Sequence, residues 1–271
     1  MAGGNLTPRQ KMINMMYLVL TAMLALNVSR EVMDFLYEDM KSKEQSISTI
    51  DMQTANLYSA FVKADSENHE RAGKWKDKAF VVKEKSDALY DKIETIKKTL
   101  VEGAGGYDEE DPEKPKKLDN REKSAQYFMV AENGKNGKDL KNDIDAYRAF
   151  LLEETKENDA LNQSIANLFS TDPKPNKDGV KEPWINHNFE HYPLISVLST
   201  LTTIQGNIRN SEAQTVSMLH SKIDAGTLKF TAVNAVVIPK SNFVTQGGNY
   251  EAEVFLAAYD DTQEPKVTIN G

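Results

Sequence analysis

The side chains best suited to catalysis or metal binding lie in the segment HNFEH, from His187 to His191. It matches H-x-x-E-H, an inverted zinc-protease motif in which both histidines bind zinc from one helical face and Glu190 would act as the base. Pro183 and Pro193 flank the segment, and proline disfavours the continuous helix that such a site needs. We therefore expect a surface loop here and no metal site. The sequence has no phosphate-binding, dinucleotide-binding or serine-hydrolase motif, so we expect no cofactor and no enzymatic activity.

A second group of polar residues lies in and beside an uncharged apolar stretch, MINMMYLVLTAMLALNVS, at 12–29. Four polar residues share one helical face because they follow one another at spacings of 4, 3 and 4. They are Gln10, Asn14, Tyr17 and Thr21. Such residues are common where a helix meets the membrane surface. Alternatively, this face packs against protein, because a polar group that faces lipid is costly.

The stretch at 12–29 is long enough to cross a membrane. It is 18 residues long, apolar residues continue it to position 36, and a spanning helix needs roughly 17–25 residues. Arg9 and Lys11 precede it and acidic residues follow it, so the positive-inside rule predicts a cytoplasmic N-terminus at 1–11 and an inner-membrane helix at 12–36. The remainder would lie in the periplasm. A cleaved signal peptide is the alternative, but it would have a shorter apolar core and a small-residue cleavage site, which we do not find.

The ionisable residues of this N-terminal region limit what it could do. Arg9 would lie at the cytoplasmic border, where it either extends its charge to water or pairs with a carboxylate of another subunit. The run at 12–29 contains no Asp or Glu. If protons drive a process here, this helix cannot itself carry the protonatable carboxylate.

The composition excludes several classes of protein. The chain has 271 residues and a formal charge of −8, which argues against nucleic acid as the main partner. It has no cysteine, which excludes disulfides, cysteine-bound zinc, thiol catalysis and a lipoprotein anchor.

Four narrow apolar seams at coiled-coil spacing follow the apolar stretch and predict helices that pack together. The seams are Ile47, Ile50, Thr54, Leu57, Phe61 and Ala64; Trp75, Ala79, Val82, Ser86, Leu89, Ile93, Ile96 and Leu100; Leu140, Ile144, Tyr147, Leu151, Glu154, Asn158, Leu161, Ile165 and Leu168; and Leu194, Val197, Leu201, Ile204, Ile208, Ser211, Thr215 and Met218. We therefore expect a periplasmic antiparallel four-helix bundle at 37–225. No break signal separates 12–36 from the first seam, so the membrane helix should continue directly into the bundle.

Polar segments with glycine or proline mark the connections between these helices. They predict a short turn near 65–72, a long charged loop at 103–124 and a proline-rich loop at 171–193. In the last of these, three aromatic residues either plug the end of the bundle or form a partner-binding tip. They are Trp184, Phe189 and Tyr192.

The hydrophobic pattern changes after Gly226, a predicted helix C-cap. The segments NAVVIP, NYEAEVFLAAYD and KVTING are β-rich, so 226–271 is predicted to begin a β-sandwich-like domain. A complete sandwich needs about 100 residues. We therefore expect this to be a partial, truncated domain that continues in the natural protein. The fold class expected overall is mostly α.

The N-terminus, MAGGNLTPRQKMINMMYLVLTAMLALNVSREVMDF, resembles that of the GldM/PorM family of the type IX secretion and gliding machinery. The similarity is specific in LTPRQKMIN and in MYLVLTAMLALNVS, and the layout of a helical bundle followed by a β domain also fits. The resemblance implies an inner-membrane protein with one transmembrane helix per chain. It also implies a homodimer whose two helices sit inside a ring of GldL/PorL-type two-helix subunits, which provide the membrane carboxylates.

By the same resemblance, proton flow drives rotation of ring and central dimer, and the periplasmic domains transmit work to outer-membrane secretion and gliding components. The resemblance implies a pairing role for Arg9 and a hydrogen-bonding role toward the ring carboxylate for Tyr17. Lys11, Asn14 and Thr21 are further contact candidates. The alternative function is a membrane-anchored sensor whose periplasmic four-helix bundle binds a small ligand.

Overall fold

The structure is a computed structural model that describes residues 7–176, 179–225, 232–241, 243 and 247–259. The described chain is mostly helical, as expected. The helices are α1 (Pro8–Glu67), α2 (His69–Gly103), α3 (Glu122–Ala125), α4 (Lys135–Glu154), α5 (Asp159–Leu168), α6 (Trp184–Phe189) and α7 (Leu194–Ala225), with a π-helical turn at Gln126–Val130 and a 3-10 turn at Ala131–Gly134. The strands are β1 (Lys174–Pro175), β2 (Lys181–Glu182), β3 (Ala232–Pro239) and β4 (Ala252–Tyr259).

Helix α1 runs unbroken for 60 residues, a length of about 90 Å at 1.5 Å per residue. Its start is fixed by a capping box, in which the Thr7 hydroxyl accepts from the Gln10 N–H and the Gln10 side chain accepts from the Thr7 N–H. Pro8 occupies the first turn, where its missing N–H costs nothing. The predicted continuity between the N-terminal helix and the first bundle helix is confirmed.

The connection between α1 and α2 is shorter than the turn predicted near 65–72. Asn68 alone reverses the chain, with extended backbone angles. Its N–H donates to the Ala64 carbonyl at 2.9 Å, and its side-chain oxygen accepts from the Arg71 N–H at 3.1 Å. One asparagine therefore closes one helix and caps the next.

The four predicted seams form the core. Phe61, Ile93, Leu151 and Leu201 are each 0% exposed and come from the four seams in turn. The third seam, however, is not one helix: α4 ends at Glu154 and α5 begins at Asp159. The break follows from Asn158, whose side chain accepts from the Leu161 N–H at 3.1 Å, because asparagine competes with the helix by capping a new one.

Helix α2 runs antiparallel to both α1 and α4, as predicted. Pairs of contacts at the two ends of each helix establish the directions. They are Lys97 with Glu44 and Lys76 with Asp65 on α1, and Lys92 with Asp143 and Lys78 with Glu154 on α4.

The prediction of an antiparallel four-helix bundle is wrong for the last helix. Lys43 near the start of the bundle donates to Ser199 of α7 at 3.0 Å, and Phe61 at the other end contacts His220 at 5.2 Å between ring centroids. Helix α7 is therefore parallel to α1 and α4, and only α2 opposes them. The physical reason is the connection at 169–193, which carries the chain back along the bundle before α7 begins.

The aromatic residues of that connection close the lower end of the bundle. Phe189 is 0% exposed and stacks on Phe128 at 4.1 Å, and the Trp184 ring meets Phe189 edge-on at 5.4 Å. Tyr192 is 45% exposed. The plug interpretation is thus confirmed for two of the three aromatics. Beside them, α4 packs so closely that a Cβ on Gly137 would lie 2.5 Å from the Phe128 carbonyl oxygen.

Strands β3 and β4 pair as an antiparallel hairpin, with Val233 opposite Ala258 and Val237 opposite Val254. The remainder of the predicted β domain, at 226–231 and 260–271, lies outside the described residues. The expected β-sandwich and the boundaries at 11, 36 and 225 stay predictions.

Candidate functional site

The five residues predicted to contact partners all lie on the first turns of α1. Arg9, Lys11, Asn14, Tyr17 and Thr21 are all exposed, and the Tyr17 side chain is 74% exposed. The helix places Asn14, Tyr17 and Thr21 on one face, with the two cations on either side of it. The spacing argument for a polar face therefore holds, whereas the contacts to partners stay predictions.

Two of the four polar side chains on this face are already used within α1. Gln10 completes the capping box, and the Thr21 hydroxyl donates to the Tyr17 carbonyl oxygen at 2.7 Å. The Asn14 amide and the Tyr17 hydroxyl have no hydrogen-bond partner in the part of the chain that the structure describes. Asn14 and Tyr17 are therefore the polar groups on this face that remain available to a partner.

Apolar side chains surround this polar face. Five of them, on different sides of α1, are between 45% and 70% exposed: Met12, Met15, Leu18, Val19 and Leu20. A helix that is apolar on nearly every side is normally covered by lipid or by protein.

A search of the described residues finds no helix that is both long and apolar enough to span a membrane. The transmembrane helix predicted at 12–36 is therefore not supported by those residues. That prediction falls partly on 22–29, whose side chains lie outside the described part of the chain.

Burial of α1 begins near Tyr37, where the charged loop packs against the helix. Lys114 donates to Asp34 at 2.8 Å and lies 5.4 Å from the Tyr37 ring centroid, and Lys41 donates to Glu113 at 2.6 Å. The hydrogen bond to Asp34 raises the pKa of Lys114. The loop predicted at 103–124 therefore fastens α1 to the bundle where the exposed apolar segment ends.

The side of α1 that faces away from the bundle is uncharged over five turns. We call the exposed residues of 42–62 the outer face. They are Ser42, Gln45, Ser46, Ser48, Thr49, Met52, Gln53, Ala55, Asn56, Ser59 and Val62. By contrast, the exposed side of α2 carries seven charges between 74 and 98, namely Lys74, Asp77, Glu84, Lys85, Asp91, Lys92 and Lys98. The lack of charge is therefore a property of α1 and not of the bundle surface in general.

Inside the bundle, Arg209 of α7 holds a charge network that joins three helices. Its Nη1 donates to Asp87 of α2 at 2.6 Å and to Glu212 at 2.8 Å. Its Nε lies 3.0 Å from a carboxylate oxygen of Asp51 on α1, although this N–H does not point at the carboxylate. Glu212 is 2% exposed and accepts a further hydrogen bond from the Tyr58 hydroxyl at 2.7 Å. Sequence analysis missed this network.

The environment shifts the pKa values of these carboxylates in opposite directions. Burial raises the pKa of Glu212 and of Asp51. Burial alone would also raise the pKa of Asp87, but hydrogen bonds from Lys83 and Arg209 outweigh it and lower that pKa. Because one guanidinium contacts carboxylates from α1, α2 and α7, these helices cannot turn past one another without separating buried charges.

The HNFEH segment does not have the geometry of the zinc-protease motif. Helix α6 ends at Phe189, Glu190 is extended, and His191 has a positive φ of 63°, so the two histidines do not share a helical face. His191 lies 3.3 Å from Glu190, and His187 lies 3.8 Å from Glu182. Within the described ranges, no group of three or more metal-binding side chains is placed to hold a metal ion.

Comparison with known proteins assigns the chain to a family. The model of the GldM N-terminal domain matches residues 37–222, and the model of the GldM second domain matches residues 224–271. None of the curated proteins compared with the chain matches it. The first domain match alone covers more than half of the chain, so this protein belongs to the GldM family of gliding-motility and type IX secretion components.

Proposed function

We propose that this chain is the central shaft of a proton-driven rotary motor that powers type IX secretion and gliding. The family works in a complex with GldL and is membrane-associated. The observation that carries the proposal is the course of the chain. Helix α1 enters the bundle at one end, and α7, parallel to it, leaves at the other. In the predicted antiparallel bundle, the β domain would have begun at the end where α1 enters.

The two ends of the shaft are joined by contacts as well as by the chain. At the far end Arg71 of α2 donates to the Ile223 carbonyl of α7 at 2.8 Å. At the near end the Leu194 N–H donates to the Asn120 carbonyl of the charged loop at 2.7 Å. With the Arg209 network between them, α1 and α7 are held together along the bundle, so torque applied to α1 would reach the β domain.

The exposed apolar start of α1 is the part that we place in the inner membrane, at 12–36, with 1–11 in the cytoplasm and the bundle in the periplasm. Lipid or partner helices would cover Met15 and Leu18, which are 70% and 69% exposed. The sequence from 12 to 30 has no acid, so a ring of GldL-type subunits must provide the protonatable carboxylates. Arg9 and Tyr17 are the groups that we expect to face them.

The outer face is the surface on which we expect two copies of α1 to pair in the homodimer. Helices approach closely where residues are small, and its Ser and Ala residues leave the surface low. Three of its hydroxyls are already satisfied by the helix itself: Ser46 donates to the carbonyl of Ser42, Thr49 to that of Gln45, and Ser59 to that of Ala55. Covering them would therefore leave no unpaired donor.

Single cysteines test the pairing, because the natural chain has none. We expect Ala55→Cys, on the outer face, to form a disulfide-linked dimer in oxidised membranes, since a disulfide requires Cα atoms within about 7 Å. Ala88→Cys, on the exposed side of α2, is the matched control and should stay monomeric. Cross-linking of Ala88→Cys with none of Ala55→Cys would place the dimer contact elsewhere and remove this arrangement.

A further inference from the structure

A cavity of about 480 Å³ lies between α4 and the connection at 169–193, away from every surface used above. Its walls combine apolar and polar groups. The residues that matter are Arg148, Leu152, Thr171, Pro183, Trp184 and Ile185. A volume in this range and a mostly apolar lining with a few polar groups are typical of small-ligand sites.

Most polar atoms at the cavity already have partners. Asp145 accepts from Lys141 and from the Thr171 hydroxyl, both at 2.6 Å, and Thr171 is 6% exposed. Burial alone would raise the pKa of Asp145, but these two hydrogen bonds outweigh it and lower that pKa, so the carboxylate stays charged and neutralises Lys141.

Arg148 is the exception. Its Nε is shielded from solvent and makes no hydrogen bond to any described residue. A buried guanidinium N–H without an acceptor is costly, and a charged acceptor would satisfy it best. A second acid at the rim, Asp172, would repel an anion of higher charge.

We infer that this cavity binds a carboxylate attached to an apolar group, with the carboxylate on Arg148 and the apolar group against Trp184 and Ile185. A single planar negative charge fits a guanidinium, and the neutral Lys141–Asp145 pair leaves room for only one. Two sources share this chemistry: a small organic acid and the C-terminal residue of a polypeptide. The inference does not depend on the motor proposal.

Trp184 is a reporter for the test, because the only other tryptophan is Trp75. The full chain carrying Trp75→Phe is titrated with N-acetyl-leucine and with its uncharged amide. We expect a saturable change in Trp184 fluorescence with the acid and none with the amide. This comparison needs no change in the cavity, so it stands even if a cavity variant fails to fold.

Arg148→Gln should weaken binding of N-acetyl-leucine at least about tenfold, since a hydrogen bond to a charged group is lost. Arg121→Gln, at an exposed arginine, is the matched control and should leave binding unchanged. A five-residue peptide ending in leucine separates the sources: tighter binding than the acid indicates a polypeptide terminus, and equal binding indicates a small acid. Equal binding of acid and amide, or no saturable change with any probe, would overturn the inference.

Discussion

A proline at Glu31 should uncouple the N-terminal segment of α1 from the bundle without unfolding the bundle. Glu31 is exposed and lies six residues before Tyr37, where burial of α1 begins. Proline removes one hydrogen bond of the helix and clashes with the preceding turn, at a cost of about 3 kcal/mol, and bends the helix by more than about 20°. Tyr17 lies 14 residues away, a lever of about 21 Å, so the bend would move it by about 7 Å.

A displacement of that size exceeds the reach of any hydrogen bond from Tyr17 to a ring subunit. We therefore expect Glu31→Pro to abolish secretion and gliding in cells, while thermal unfolding of the bundle stays within about 2 °C of that of the natural chain. Glu31→Ala, which keeps the helix straight, is the control and should retain function. If Glu31→Pro cells secrete and glide normally, rigid coupling through α1 is refuted.

Four further outcomes follow from the contacts. Arg9→Ala should abolish secretion or gliding while the complex still assembles on pull-down; retained function would remove Arg9 from the mechanism. Arg209→Gln leaves its buried carboxylates without their cation and should lower the free energy of unfolding in urea by roughly 3 kcal/mol; a loss under about 1 kcal/mol would contradict the network's structural role. Because Lys83 and Arg209 lower the pKa of Asp87, its contribution is complete above the ordinary value near 3.9 and is lost as pH falls through the folded pKa; Asp87→Asn should therefore lose less stability between pH 7 and pH 3 than the natural chain, and an equal loss would argue against it. Gly137→Ala should cost about 1–3 kcal/mol, since the new Cβ meets the Phe128 carbonyl oxygen, and an unchanged melting temperature would contradict that packing.

The sequence predicted the helices better than their directions. Seam spacing reports which face of a helix is buried, and Ile93 and Leu151 lie in the core as that spacing requires. Spacing carries no information on direction, because a seam reads the same in a parallel and an antiparallel neighbour. The direction of α7 depends on the path of 169–193, which tertiary contacts such as Phe189 with Phe128 determine. The break at Asn158 was legible in principle as a polar residue in a seam position, followed by a short helix.

The candidate site was predictable where it depended on one helix and not where it depended on three. The face with Asn14 and Tyr17 follows from spacing alone. The Arg209 network needed tertiary contacts, although one signal was present: Asp51 is the only charged residue from 45 to 62. A lone acid in such a run is best explained by a partner, and Arg209 lies 3.0 Å away.

The most direct test is to purify the chain from membranes with its GldL-type partner and determine the complex structure. The account predicts two copies of 12–36 inside a partner ring, paired along α1, with Arg9 or Tyr17 facing a partner carboxylate. A single copy, release of the chain from membranes by alkaline carbonate, or lipid around Asn14 and Tyr17 would contradict the shaft proposal.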